Sequence, residues 1–257
     1  MESNGMQLRD EARREPVKNA FRVGWEFVEQ NMALGWATVA VFVVLSLVEF
    51  VPLVGFAATI AVGVFSQSIQ IFVGRAFYGA ETMEAFVSEA SGAWLGWAAV
   101  GFVMLLAWMA LVLLLGGDPA ALETAGGDEA FETLFQAMGV AVLPVILIAM
   151  LLSYVYPIVQ GRVILSDSFG EAFKAVFSLF SPTVWKHAMT GEYFSFVFFF
   201  GLVLIGVALA ISLVATLLIL VPILGALAVA VGAMVLLYPF VAVMGVACVL
   251  AREIAEG

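Results

Sequence analysis

Gly74-Arg75-Ala76-Phe77-Tyr78-Gly79-Ala80-Glu81-Thr82-Met83-Glu84-Ala85-Phe86 is followed 87 positions later by Gly161-Arg162-Val163-Ile164-Leu165-Ser166-Asp167-Ser168-Phe169-Gly170-Glu171-Ala172-Phe173. Without a gap, the two stretches share Gly, Arg, Glu, Ala and Phe at the same offsets. Each leaves a long apolar run and enters a segment whose apolar residues recur at helical spacing. The repeat predicts a hinge at which a membrane hairpin ends and an amphipathic helix begins.

Outward from these stretches, apolar runs recur along the chain. Hydrophobic residues make up 64% of it and charged residues 12%, against about a quarter charged in ordinary soluble domains. Runs of about 20 apolar residues are the signature of transmembrane helices. The spans are expected at about 33–51, 52–73, 94–115, 139–160, 193–220 and 222–250, with kinks at Pro144 and Pro157. Val51-Pro52-Leu53-Val54-Gly55 joins the first two, and Val221-Pro222-Ile223-Leu224-Gly225 joins the last two in nearly the same words. Residues 1–16 are expected to form a charged, disordered or frayed tail, and the first thirty residues are polar, with no apolar stretch that resembles a cleavable signal peptide.

Three segments precede the hairpins. The first carries Val17, Phe21, Trp25, Val28 and Met32 on one face, opposed by Lys18, Arg22, Glu26 and Glu29. With no soluble core nearby, it is expected to lie in the membrane interface. The second carries Met83, Phe86, Val87, Ala90, Trp94 and Trp97; the third carries Phe169, Phe173, Val176, Phe177 and Phe180 and is interrupted at Ser181-Pro182-Thr183. The fold expected is therefore an all-α membrane protein of six transmembrane helices. They form three parallel-repeat hairpins, about 17–73, 74–160 and 161–250, each preceded by a cytoplasmic amphipathic interfacial helix, in a single transmembrane domain over 17–257.

Charge supports this topology. With both termini on one side, that side receives Arg9, Arg13, Arg14, Lys18, Arg22, Arg75, Arg162, Lys174, Lys186 and Arg252, which are all the bases. The opposite side receives none, yet holds Asp118, Glu123, Asp128, Glu129 and Glu132 in a Gly-rich loop. The positive-inside rule then makes both termini cytoplasmic in a multi-pass protein of the cell membrane. Twenty acids against ten bases, of which Lys18, Lys174 and Lys186 are the lysines, fit a protein facing concentrated salt and a haloarchaeal source. A high-GC bacterium that favours Arg and Glu is the alternative.

The interfacial-helix-plus-hairpin unit, the Gly-Arg stretches, Tyr154-Val155-Tyr156-Pro157 and the Gly/Asp-rich loop together resemble an uncharacterised group of six-helix haloarchaeal membrane proteins. More distantly, they are similar to the membrane domain attached to some bacterial glycerophosphodiester phosphodiesterases. The resemblance covers most of residues 17–250 and implies a fold. It implies no activity, because the phosphodiesterase catalytic domain is absent.

Residues able to do chemistry are sparse. His187 is the one histidine and Cys248 the one cysteine, so no His-pair metal motif and no disulfide is available within one chain. No nucleophile elbow or phosphate-binding Gly-rich loop is present. The expectation is a protein with no cofactor, no metal and no enzymatic activity. His187, beside Lys186, reads as an interfacial anchor, with pH sensing as the alternative. Glu49 lies two residues before a turn, at the outer interface.

The stronger candidates are polar residues inside the spans. Ser66, Gln67, Ser68 and Gln70 stand in the second span; Ser153, Tyr154, Tyr156 and Gln160 stand in the fourth. Such groups need partners in hydrocarbon, either one another or a wet passage. Arg75 and Arg162 end their spans where a cation suits a helix C-terminus, anchoring the chain or binding an anionic lipid headgroup. Gly92 and Gly96 form a small-x-x-x-small pair that would admit another helix. The interfacial segments carry Glu26, Glu29, Glu84, Glu89 and Glu171, so nucleic acid is not expected as a partner. Membrane lipids are, together with a protein partner or a second copy. The leading expectation is a scaffold or assembly subunit at the cytoplasmic leaflet. The alternative is a transporter or channel for a small or lipid-like solute, using the polar rows of the second and fourth spans.

Overall fold

In a computed structural model, residues 14–48, 54–76, 96–101, 142–219 and 224–257 are described. The tail before Arg14, both Val-Pro turns, Glu49, Gly92, most of the second amphipathic segment, most of the third expected span and the Gly/Asp-rich loop lie outside these residues. The described residues are helical, and no strand occurs among them. The helices are α1 (Pro16–Gln30), α2 (Met32–Val48), α3 (Val54–Ala76), α4 (Val142–Ile164), α5 (Phe169–Phe177), α6 (Pro182–Ala188), α7 (Gly191–Ile219) and α8 (Leu224–Glu256). A short helical stretch at 96–101 packs Ala99 with Val163, Ala172 and Val176.

Two segments, Gly191–Leu218 and Val231–Glu256, are long and apolar enough to cross a membrane. At 1.5 Å per residue they are about 42 and about 39 Å long, beyond the ~30 Å of a hydrocarbon core. The protein is accordingly a helical membrane protein. α1 and α2 meet at Asn31 with a bend of 89° between Pro16–Gln30 and Met32–Leu45. The Asn31 amide holds this corner, its backbone N–H and its Nδ2 both donating to Phe27 O.

α8 is the axis of the fold, touching α1, α2, α3, α4, α6 and α7. Its inner side buries Tyr238, Val241, Ala242, Val246, Ala247, Cys248, Val249, Leu250 and Ala251. Small side chains and glycines on the neighbours allow this crowding. A methyl at Gly245 would meet Gln70 O at 3.0 Å, one at Gly74 would meet Val249 Cγ2 at 3.0 Å, and one at Gly161 would meet Cys248 O at 2.3 Å. The first two pairs advance together along both chains, so α3 and α8 run in the same direction. α4 is parallel to α3 as well: Gln160 bonds Gln67 and Gln70, and Gly74 lies against Ile164.

α1 does not stand apart from a core. Its start and the end of α8 line one recess, Gly24 abuts Val243, and Tyr238 donates to Asn31 O. α1 thus follows α8 in the opposite sense over its length. Its buried residues are Asn19, Ala20, Gly24, Phe27 and Val28, whereas Trp25 and Met32 are exposed. The buried face is rotated from the one that hydropathy alone selects, because Ala20 and Gly24 admit the α8 backbone where Trp25 would not.

The third amphipathic segment forms as two helices. Ser168 caps α5 by accepting from Glu171 N, while Glu171 Oε2 accepts from Asp167 N, so two amides at the start of the helix are satisfied together. Pro182 opens α6, where its missing N–H costs nothing. Between them a 3-10 turn carries Leu179, whose carbonyl accepts from Trp185 Nε1 at 2.8 Å. Ala172 and Val176 face inward, and Phe169, Phe173, Phe177 and Phe180 stack along the outer side at 4.7–6.4 Å between successive rings.

α7 makes its contacts to α8, with lesser ones to α1 and α6. Only 6% of its apolar window is buried. From Phe198 through Leu218 it presents apolar side chains outward on nearly every side.

Candidate functional site

The polar residues expected inside the second and fourth spans fall into two groups. Gln67, Ser68, Gln70, Tyr156 and Gln160 gather where α3 meets α4. Gln160 Nε2 donates to Gln67 Oε1 at 3.0 Å and to Gln70 Oε1 at 2.9 Å, and Gln160 Oε1 accepts from Tyr156 OH at 3.1 Å. Gln160 and Gln67 are buried, and Tyr156 reaches in from a position 38% exposed. Ser68 is buried and returns its hydroxyl to Val64 O within α3, as helical serines in apolar surroundings do. The cluster has one loose end: Gln67 Nε2 is buried without a hydrogen-bond partner.

The other members go elsewhere. Ser66 is half-buried on α3 and Ser153 is exposed on α4. The Tyr154 side chain leaves the row: its hydroxyl donates to Ala188 O at the end of α6, and Tyr193 OH donates to Tyr154 O at 2.6 Å. The two rings meet edge to face at 5.3 Å. Tyr154 therefore ties α6 and α7 to α4.

The Gly-Arg stretches are not hinges at their glycines. α3 continues through Gly74 and Arg75 to Ala76, and α4 through Gly161 and Arg162 to Ile164. Both glycines are points of close approach, against Ile164 and against Cys248 O. The arginines then join the two copies to their neighbours. Arg75 Nη2 donates to Ser166 O at 2.9 Å and lies 3.1 Å from Asp167 Oδ1, so the first copy grips the second just past α4. A cation here also satisfies carbonyls that a helix end leaves open. Arg162 Nε lies 2.6 Å from Glu256 Oε1, and Glu256 Oε2 lies 3.1 Å from Arg252 Nε.

Arg252 is expected from the sequence only as one of the cytoplasmic bases, and Glu256 not at all, although a signal for their place is present. Ala251-Arg252 ends the last apolar run as Gly74-Arg75 and Gly161-Arg162 end theirs, with Ala in the place of Gly. These arginines stand at the C-terminal ends of three parallel helices and mark one charged end of the bundle. From Met32 to Gly74, from Val142 to Gly161 and from Tyr193 to Ala251, no described residue is charged.

His187 sits half-buried on α6 with Nδ1 unpartnered, and its carbonyl accepts from Thr190 Oγ1. A methyl added at Gly96 would meet Val163 Cγ1 at 3.1 Å, so α4 passes close to this glycine. Cys248 is buried and free. Among the described residues no group of three or more His, Cys, Asp or Glu is placed to hold a metal ion.

One consequence is testable at the charged end. Arg162→Ala removes one of the two arginine partners of a carboxylate that is 22% exposed, and Arg75→Ala strips two links to the segment after α4. A partly exposed charged bond contributes about 1 kcal/mol, reduced by salt. Each variant is expected to lower the melting temperature in detergent by roughly 2–4 °C, with a larger loss in dilute buffer than in molar salt. An unchanged Tm in dilute buffer would show that these arginines do not hold the bundle together.

No protein-family model matches the chain, and neither curated proteins nor solved structures give a match.

Proposed function

We propose that the protein is a non-enzymatic, multi-pass scaffold or assembly subunit of the cell membrane, acting through packing against a protein partner or a second copy. The observation that carries this reading is the contrast between what is used inside and what is offered outside. The span glutamines bond largely to one another, and Arg75 and Arg162 bond to neighbouring segments. What α7 offers outward is a helix-long apolar surface.

The six-span, three-hairpin arrangement is the topology that accompanies this reading. It is supported by the parallel course of α3, α4 and α8, the ends of the second member of each hairpin. α3 and α4, of 23 residues each, reach about 35 Å. The arginines gathered where α3, α4 and α8 end support placing that end, and both termini, in the cytoplasm. α5, with its outward phenylalanines, then lies along the cytoplasmic leaflet.

Extracted in mild detergent, the protein is expected to migrate as an assembly larger than one chain. Leu209→Ala with Leu213→Ala, both on the outward side of α7, is expected to dissolve that assembly and leave Tm within about 2 °C. Liposomes holding the protein should pass small polar solutes no faster than empty ones. The unpartnered Nε2 of Gln67 favours a second reading, a narrow polar passage between α3 and α4. Solute flux abolished by Gln67→Leu in a folded protein would establish that reading and overturn the scaffold.

A further inference from the structure

Two recesses adjoin at the charged end of the bundle. The smaller, about 250 Å³, is lined by Arg14, Glu15, Lys18, Asn19 and Arg22. The larger, about 910 Å³, shares Arg14, Glu15 and Lys18 and runs on along Val17, Phe196, Phe199 and Ile254. Its size suits a ligand pocket, typically ~300–1,000 Å³. The smaller would hold roughly eight waters at ~30 Å³ each, room for a hydrated phosphate and not for an acyl chain.

Charge and apolarity are sorted between them. Lys18 and Arg22, four apart, lie on one side of α1, and Arg14, two residues before the helix begins, lines the same recess. They set three cations against the single carboxylate of Glu15 in the small recess. Lys18 bonds Glu15 at 2.6 Å, and the Glu15 carboxyl is held below its ordinary range by that bond and charge and, to a lesser degree, by the Arg22 charge. Glu192 and Glu253 line the larger recess and confine an anion to the α1 side. The floor beyond is aromatic: Phe196 is buried, and Phe199 is 56% exposed on the outward surface of a helix apolar enough to span a membrane. A molecule filling both recesses is anionic at one end and hydrocarbon at the other.

We propose that the paired recesses bind a phosphate-bearing membrane lipid, with its phosphate among Arg14, Lys18 and Arg22 and an acyl chain along Val17, Phe196 and Phe199. This assignment rests on the membrane placement given above and not on the scaffold role. It is a site apart from Arg75 and Arg162, which bond Ser166 and Glu256.

The test uses the full chain, delipidated in detergent and titrated with phosphatidylglycerol, with a neutral glycolipid of the same chains, or with inorganic phosphate; bound lipid is read by native mass spectrometry. Flotation with vesicles reports the membrane placement separately. One phosphatidylglycerol per chain is expected to survive, with the neutral glycolipid at least about tenfold weaker. Arg14→Gln with Lys18→Gln should weaken phosphatidylglycerol about tenfold, and Glu15→Gln should tighten it a few-fold. All three side chains are exposed, so Tm should not move. Phe199→Ala should weaken the lipid several-fold and leave any binding of inorganic phosphate unchanged. Equal retention of the neutral glycolipid, or indifference to the charge variants, overturns the proposal. Phosphate bound as tightly as the lipid, with Phe199→Ala silent, overturns the lipid assignment and leaves a site for a free anion.

Discussion

Gly161→Ala is expected to be strongly damaging, because among the described glycines it has the nearest backbone obstacle to an added methyl. The new Cβ would stand 2.3 Å from Cys248 O, 2.9 Å from Arg252 Cβ and 3.1 Å from Cys248 C. Two of these three atoms belong to the α8 backbone, so no rotamer change clears them, and α4 must move off α8. That shift would also pull Gln160 from Gln67 and Gln70, and Arg162 from Glu256, one residue to either side. Overpacking a core costs about 1–3 kcal/mol, and an obstacle made of backbone puts this site at about 3 kcal/mol. Thermal unfolding in detergent is expected to show Tm lower by roughly 6–12 °C.

The control is Gly206→Ala on α7, where a methyl meets nothing within 4 Å. There the change is expected to be neutral or to stabilise by about 0.5–1 kcal/mol, the ordinary gain of Ala over Gly inside a helix. Gly74→Ala falls between them, because its nearest obstacle is the Ile164 Cγ2 methyl at 2.6 Å, the tip of a side chain. If Gly161→Ala and Gly206→Ala shift Tm alike, close approach is not what holds α4 to α8.

These glycines also show how far the sequence could be read. Hydropathy located the described helices to within a few residues: 193–220 was expected where α7 runs Gly191–Ile219, and 52–73 where α3 runs Val54–Ala76. Their type was legible because long apolar runs leave a chain few other ways to satisfy its backbone. What Gly74 and Gly161 do was not legible. A glycine beside an arginine at the end of a span fits a flexible hinge and a packing contact equally well, and only the neighbour decides. α1 shows the same limit: apolarity marks the Trp25 face as the one for the membrane interface, but only the neighbour shows that Ala20 and Gly24 are buried against α8. In the polar row, Gln67, Tyr154 and Gln160 each carry the expectation of a partner on another span or of a wet passage. The structure pairs Gln67 with Gln160 and sends the longer reach of Tyr154 to Ala188. Residue types announced that bonds would form between spans; which bonds form depends on the rotation of α3 against α4, which no local pattern records.

Gln160→Met is expected to have the second large effect, and it separates packing from passage. Gln160 supplies both donors that reach Gln67 Oε1 and Gln70 Oε1, and the acceptor for Tyr156 OH. Met fills much the same volume and offers none of these. Gln70 is half-buried and Tyr156 partly exposed, so both retain access to other partners. Gln67 is 7% exposed and would keep a carbonyl as well as an amide nitrogen with nothing to bond. An orphaned buried polar group costs about 1–3 kcal/mol, whereas the coupling between two polar side chains inside a membrane protein averages only ~0.6 kcal/mol. The single variant should therefore lose about 2 kcal/mol, more than the bond itself contributes. Gln67→Met, Gln70→Met and Gln160→Met together should recover most of that loss, since no orphan remains in the interior. The recovery is the diagnostic result. A triple variant that is stable and still assembles makes the glutamines a fastening between α3 and α4, exchangeable for apolar packing. If instead Gln160→Met alone costs nothing measurable, water already reaches Gln67, and the α3–α4 seam is a wet passage whose polar lining serves something that moves through it.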